Sequence, residues 1–348
     1  MKSYPLTDLE LVEHNTYNTI LLQSSQQLPT LLKNTLCSIS NDKDIVLDYS
    51  TERNHYLDRV DSDKDIFSYI LDILDYCGID PSRVIFLSGN HHIQDNYKEY
   101  CKLYNRKQLK TVAHKEFWLD QTVSSHLDVS DNYNNLSKPY YFTCLNGVGR
   151  PQRLQTCEFM FETNLRKKGI CTFMFGDSEK HYFIQKGKHN IANMLPIEIR
   201  PHRDNTGFHQ CHAPQHPDFY QIFYDSYFDV ITETSAGFYV PFSWWKDLFF
   251  TEKLWRSIFY KRPFLLIGDY KALDKLKELG FRTFDNVLFD ESYDNIKDPK
   301  QRTQAVLEQT YNICDNLTID QLHKLINTPN VKSIVEHNYF LINKLANS

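Results

Sequence analysis

Twice along its 348 residues the chain alternates short apolar runs with apolar residues at helical spacing, and this repeated alternation restricts its fold more than any other feature. In the first third, Asp44 to Tyr49 reads as a strand, Ile66, Tyr69, Ile70, Ile73 and Leu74 mark a helix face, and Val84 to Leu87 reads as the next strand. A polar, asparagine-rich stretch from Ser124 to Lys138 ends at Pro139 and reads as a linker. The pattern then restarts. Tyr140 to Leu145 has the character of a buried strand and Asn146-Gly147-Val148-Gly149 that of a turn. Leu154, Cys157, Met160, Phe161 and Leu165 line one side of a helix, and Ile170 to Phe175 forms the following strand. Strands at Phe228 to Thr232 and Pro263 to Ile267 alternate with helices at Thr251 to Tyr260 and Tyr270 to Leu279. Between them, Lys180 to Asp218 has little periodicity and predicts long loops. The expected architecture is α/β, with two Rossmann-like parallel-sheet domains facing across a cleft, residues 1–138 and 139–315. A helical tail, 316–348, carries Ile319, Leu322, Leu325 and Ile326, and then Ile334, Phe340, Leu341 and Leu345; such a tail can pack back on the first domain.

Composition excludes several classes. With 22 Tyr, 23 Phe and 4 Trp the chain has ample large side chains for two cores, which rules out a disordered or collagen-like polymer. No C-x-x-C pair occurs among the eight cysteines, so they read as reduced thiols and not as a zinc ribbon. No long apolar stretch and no leader pattern appear, which predicts a cytoplasmic protein. A formal charge of −5 argues against general coating of nucleic acid, although Arg166-Lys167-Lys168 and Lys186-Gly187-Lys188 form local basic patches.

Three groups of residues could carry chemistry. Thr251-Glu252-Lys253 combines an N-cap with an acid and a base in the first turn of a helix, where free N–H groups and the helix dipole favour an anion. A capped surface helix is the alternative reading of the same residues. Arg150 and Arg153 follow the first strand of the second domain and could clamp a diphosphate through bidentate hydrogen bonds, or stand as ordinary exposed arginines. Gln152 occupies the place where a dinucleotide fingerprint needs its third glycine, and with only 11 Gly in the chain that fingerprint is excluded. His202, His209, Cys211, His212 and His216 cluster in sequence without matching a metal-ligand spacing, so no metal site is expected, and their role stays open. His91-His92 reads as a loop pair, and Asp290 to Asp294 as a solvated acidic turn.

With these segments in place the second half resembles the donor domain of GT-B glycosyltransferases, most nearly the α-1,3-fucosyltransferases. The resemblance runs through Phe228-Asp229-Val230-Ile231-Thr232-Glu233-Thr234, Phe250-Thr251-Glu252-Lys253-Leu254-Trp255-Arg256-Ser257 and Arg262 to Gly268. It is also similar to glycosyltransferase-like proteins of phages and large DNA viruses, through Asn146 to Arg153, Gly280 to Asp285 and Asp290 to Asp294. The likeness covers roughly Tyr140 to Arg302. It implies that Lys253 and Arg150 or Arg153 hold the donor diphosphate, that Glu252 bonds the ribose, and that Glu233 lies near the donor sugar as a catalytic carboxylate. Thr234 stands where the family has Asn, and Gly237 to Asp247 is a longer link than usual.

The expected reaction is inverting, metal-independent transfer from a nucleotide-sugar donor, a GDP-sugar before a UDP-sugar, to a glycan hydroxyl, with no further cofactor. The chain has no D-x-D motif in a suitable loop, so protein cations and a helix terminus would neutralise the leaving diphosphate. A general base is required, and Glu52 and Asp48, at the end of a first-domain strand, are the candidates. Two alternatives stand beside this one: a viral DNA-modifying glycosyltransferase acting on hydroxymethylated bases, and a non-catalytic nucleotide-binding or scaffold protein.

Overall fold

The structure, a computed structural model, describes residues 11–13, 17–21, 28–38, 44–49, 65–107, 109–113, 122–123, 137–197, 222–238 and 246–346. The chain divides into two units. One comprises Met1–Phe117 together with Val240–Phe249, and the other Trp118–Tyr239 together with Phe250–Ser348.

In the first unit the elements run β1 (Leu11–Glu13), β2 (Tyr17–Leu21), α1 (Leu28–Ser38), β3 (Asp44–Tyr49), α2 (Ile66–Cys77), β4 (Val84–Ser88), α3 (Ile93–Tyr104) and β5 (Lys110–Ala113). The sheet has the order β1-β2-β3-β4-β5, with β1 antiparallel to β2 and every other pairing parallel. Each βαβ step moves one place in the same direction, and right-handed crossovers then put all three helices on one face. Burial follows this winding. On β4, Val84, Phe86 and Ser88 are buried, whereas Ile85 and Leu87 are only half-buried. The core beneath the helices is aromatic, with Phe67 packed edge-on against Phe86 and Tyr97. Asp65 caps α2 by accepting the Ser68 N–H at 2.8 Å, and Gly78, at φ +68°, ends that helix in the left-handed conformation that suits glycine.

Winding in one direction also lays α1 and α2 side by side, so their last turns meet. There Cys37 and Cys77 form a disulfide, with Cα atoms 5.2 Å apart. This corrects the reading of all the cysteines as reduced thiols: the partners are 40 positions apart, and only helix packing brings them together. Cys101, Cys144, Cys157, Cys171 and Cys314 are free.

Val240–Phe249 returns to the first unit from the middle of the second. Asn96 holds it at both atoms of one peptide position, donating to the Lys246 carbonyl at 2.7 Å and accepting the Lys246 N–H at 3.0 Å. The His91 N–H donates to the Leu248 carbonyl at 2.9 Å, and Asn90 donates to the Asp247 carboxylate at 3.2 Å.

The second unit contains β6 (Tyr140–Asn146), α4 (Pro151–Glu162), β7 (Gly169–Phe173), α5 (Asp177–Gln185), α6 (His189–Met194), β8 (Ser226–Thr232), α7 (Glu252–Phe259), β9 (Phe264–Ile267), α8 (Ala272–Glu278), α9 (Pro299–Asn316), α10 (Ile319–Ile326) and α11 (Pro329–Ala346). Its sheet is wholly parallel in the order β7-β6-β8-β9. The chain therefore steps one way from β6 to β7 and then the other way to β8, and helices cover both faces. Every residue of β8 and β9 is buried, as a strand covered on both sides requires. α11 lies against α7, and α9 against α4 and β9, so the helical tail is grouped with this unit.

A charged residue sits in the middle of this core. Arg262, 1% exposed, donates through Nε to Asp229 at 2.9 Å, and its Nη atoms reach the carbonyls of Phe223, Ser226 and Phe228. Ser257 donates to the other Asp229 oxygen at 2.6 Å, and Thr143 also donates to this carboxylate. Lys138 is buried nearby, its amine bonded to the Phe223 carbonyl, and burial pushes its pKa down to about 6.

Two sequence expectations are corrected here. Lys180 to Met194, read as loop, lies mostly in α5 and α6, helices too short and polar to show a clear period. The acidic run Asp290 to Asp294 is not a solvated turn. Glu291 and Asp294 are buried, Glu291 accepting the Phe284 N–H at 2.7 Å and Asp294 accepting the N–H groups of Leu273 and Asp274 in the first turn of α8. Carboxylates that cap main-chain donors can be buried in a run that looks exposed on charge alone.

Candidate functional site

A parallel sheet opens a crevice beyond the carboxyl ends of its strands at the point where the winding reverses. In the second unit that point lies between β6 and β8. The residues that follow these two strands are the Asn146–Arg150 turn on one side and Glu233-Thr234-Ser235 on the other, and α7 begins beside them.

β6 ends in Asn146, whose side-chain oxygen accepts the Thr232 hydroxyl at 2.7 Å and so ties the two strand ends together. The turn then passes Gly149, where a Cβ would come within 2.3 Å of the Glu179 side chain. A side chain at this position would have to displace Glu179, which lies against the turn. Arg150 follows as the N-cap residue of α4 without a capping side-chain bond, and Pro151 occupies the first helical position.

Arg153 is 5% exposed and holds the turn down: Nη1 donates to the Val148 carbonyl at 3.1 Å and Nη2 to the Thr232 carbonyl at 3.2 Å. Burial lowers its pKa to about 10, with the charge of Glu233 acting in the opposite sense and that of Arg150 adding to the burial effect. Gln152, where a third fingerprint glycine would stand, is buried and donates to the Glu233 carbonyl at 2.7 Å. Among the described residues, the buried Nε atoms of Arg150 and Arg153 have no hydrogen-bond partner. Two unspent guanidinium donors at one turn are what an anion would satisfy.

Across the switch point Thr251 caps α7, its hydroxyl oxygen accepting the Lys253 N–H at 3.4 Å. The Lys253 amine lies 2.7 Å from Glu252 and 3.1 Å from the Thr251 hydroxyl, half-buried. Glu233 is 1% exposed. One of its carboxylate oxygens accepts the Thr251 N–H at 3.0 Å and the other the Thr251 hydroxyl at 2.5 Å. Burial raises its pKa, against the Lys253 charge and the bonds from Thr251.

Of the residues singled out in the sequence, Arg150, Arg153, Glu233, Thr251, Glu252 and Lys253 thus gather at one end of one sheet. Glu52 and the histidine-rich stretch His202–His216 lie outside the described residues. Sequence reasoning gave no bonding role to Asn146 or Arg302 and read Gln152 only as a missing glycine. Arg302, on α9, is buried and donates to the carbonyls of Gly268 at 3.1 Å and Ala236 at 2.7 Å, fixing the loops after β9 and β8. An arginine at position four of a predicted helix gives no hint of that reach. In the basic patches Lys186 pairs with Glu158, Lys188 with Glu158 and Glu162, and Lys168 with Asp315. Among the described residues no three His, Cys, Asp or Glu side chains are grouped so as to hold a metal ion, and no helix is long and apolar enough to cross a membrane.

No protein-family model matches the chain, and no curated protein is similar to it. Among solved structures it is similar to a crystal structure of the pneumococcal O-GlcNAc transferase GtfA in complex with UDP and GlcNAc, at 11% identity and a TM-score of 0.44. That likeness covers 94% of this chain and 56% of the other, so this chain spans little more than half the length of that protein.

Proposed function

We propose that this chain is a glycosyltransferase of the GT-B type, taking a sugar from a nucleoside diphosphate donor held at the switch point of the second sheet. The observation that carries the reading is the convergence there of Arg150, Arg153, Lys253 and the capped terminus of α7, with guanidinium N–H groups left unspent. Lys253 exchanges Glu252 for a diphosphate oxygen when the donor binds, and Glu252, released, accepts the ribose hydroxyls. The start of α7 adds the partial positive charge of the helix dipole. Arg150 supplies a second cation, while Arg153 keeps the turn in shape through its two carbonyl bonds.

In the transfer step the acceptor hydroxyl attacks the anomeric carbon, the bond from that carbon to the diphosphate oxygen breaks, and configuration inverts. The proton of the hydroxyl passes to a carboxylate, for which Glu52 is the candidate from sequence. Charge on the leaving diphosphate is met by cations fixed before the reaction begins, which is where electrostatic catalysis gains most. A GDP-sugar is the favoured donor and a glycan the favoured acceptor.

The test is a panel of GDP- and UDP-sugars against the full chain, read by thermal stabilisation and by slow hydrolysis of the donor. Stabilisation by one nucleotide class is expected, weakened about tenfold in Lys253→Ala. No response to any donor would overturn the reading and leave a scaffold protein.

A further inference from the structure

Glu233 is the residue whose position and bonding pull apart. It follows a central strand directly, where a carboxylate could reach a ligand, yet both of its oxygens are committed inside the protein. Its main chain is pinned as well, the N–H donating to the Ile267 carbonyl at 3.0 Å and the carbonyl accepting from Gln152. Burying a carboxylate is costly unless its acceptors are filled, and here Thr251 fills them with its N–H and its hydroxyl.

The count of bonds at the Thr251 hydroxyl gives the consequence. A hydroxyl has one donor and two acceptor positions. Its hydrogen goes to Glu233, which leaves its two lone pairs, and the structure places two donors of one residue on them: the Lys253 N–H at 3.4 Å and the Lys253 amine at 3.1 Å. A relay therefore runs from the end of β8 through one hydroxyl to the amine assigned to the diphosphate. The same bonds join residues 18 positions apart and close the neck of the excursion whose Val240–Phe249 portion belongs to the first unit.

We propose that Glu233 is a positioning residue, holding Lys253 in place for the diphosphate through Thr251 and not itself touching the donor sugar. The inference rests on the reading of Lys253 as a diphosphate ligand. An amide at position 233 would donate to the Thr251 hydroxyl, occupy one of its lone pairs and displace a Lys253 donor.

The experiment measures binding of nucleoside diphosphate and nucleoside monophosphate by calorimetry for the wild type, Glu233→Gln, Lys253→Ala and the double variant. Glu233→Gln should weaken the diphosphate about tenfold and leave the monophosphate unchanged, and the double variant should bind as Lys253→Ala does. Thr251→Ala should reproduce the loss of selectivity and Thr251→Ser should restore it, which keeps the test open should position 233 prove intolerant. Equal weakening of both nucleotides in Glu233→Gln and Thr251→Ala would reduce the relay to a structural cap and overturn the proposal. Unchanged diphosphate binding with lost turnover would overturn it in favour of contact with the sugar. If the wild type binds neither nucleotide, the reading of the site itself fails and the inference falls with it.

Discussion

The two sheets are built from the same βαβ step and differ in how the steps are added. In the first unit each step continues in one direction, so helices gather on one face and β4 alternates buried and half-buried residues. In the second unit the direction reverses after β7, both faces are covered, and β8 and β9 are buried at every residue. The reversal does more than thicken the core. It parts two adjacent loops at the strand ends, and into that gap the second unit directs Arg150, Lys253 and the start of α7. The described strands of the first unit show no such reversal. A site follows from the order in which similar pieces are joined as much as from the pieces.

The difference can be tested by how each unit responds to perturbation. The largest effect is expected at Arg262, which has no buried cationic counterpart among the described residues of the first unit: Arg262→Met strands the Asp229 carboxylate and should cost about 3–5 kcal/mol in denaturant unfolding. Hydrogen exchange of Phe86 and its neighbours should stay unchanged. Next come strand residues on opposite faces. Val230→Ala and Ile231→Ala should both destabilise by roughly 1–4 kcal/mol, because both faces of β8 are packed. On β4 the two faces should separate, with Phe86→Ala costing about 3–5 kcal/mol and Leu87→Ala about 1 kcal/mol. Equal losses on β4 would show that its second face is covered as fully as the first.

A graded effect, spread over several pH units, is also expected. The Lys138 amine is held at a pKa of about 6 in the folded second unit, far below the usual lysine range. As pH falls from about 10 the unfolded chain takes up this proton first, so folded-state stability should decline by roughly 1.4 kcal/mol per pH unit. The decline levels off below about pH 6, where the folded amine is protonated as well. Lys138→Met should remove this slope, and thermal unfolding of the two proteins across that range is the measurement.

Much of the chain's order is legible without coordinates because it is local. Asp44 to Tyr49, Val84 to Leu87 and Phe228 to Thr232 lie in strands, and Thr251 is the N-cap its position before an acid and a base suggests. The candidate site is legible as a set of residue types, and the structure brings six of them to one edge. What each does is hidden, because it depends on partners far away in sequence. Arg153 reads as a phosphate clamp, yet it bonds carbonyls at Val148 and Thr232. Glu233 reads as a carboxylate near the donor sugar, and its partner lies beyond an excursion of the chain. The same distance hides the Cys37–Cys77 bridge, and the caps made by Glu291 and Asp294 are lost to a reading based on charge.

Neither unit is a single stretch of chain, and this bears on how such a protein can be cut or recombined. A break after Phe117 would yield a first unit lacking Lys246 to Phe249. The side chain of Asn96, 1% exposed, would then lose both of its partners at Lys246, and Asn90, wholly buried, its bonds to Lys246 and Asp247. Buried amides without partners are among the more destabilising defects a core can carry. A second unit taken as one uninterrupted segment would have to include Val240–Phe249, which belongs to the first. Shuffling of halves, by gene fusion or at the bench, is therefore closed to this chain unless the inserted segment is transplanted with the piece that receives it.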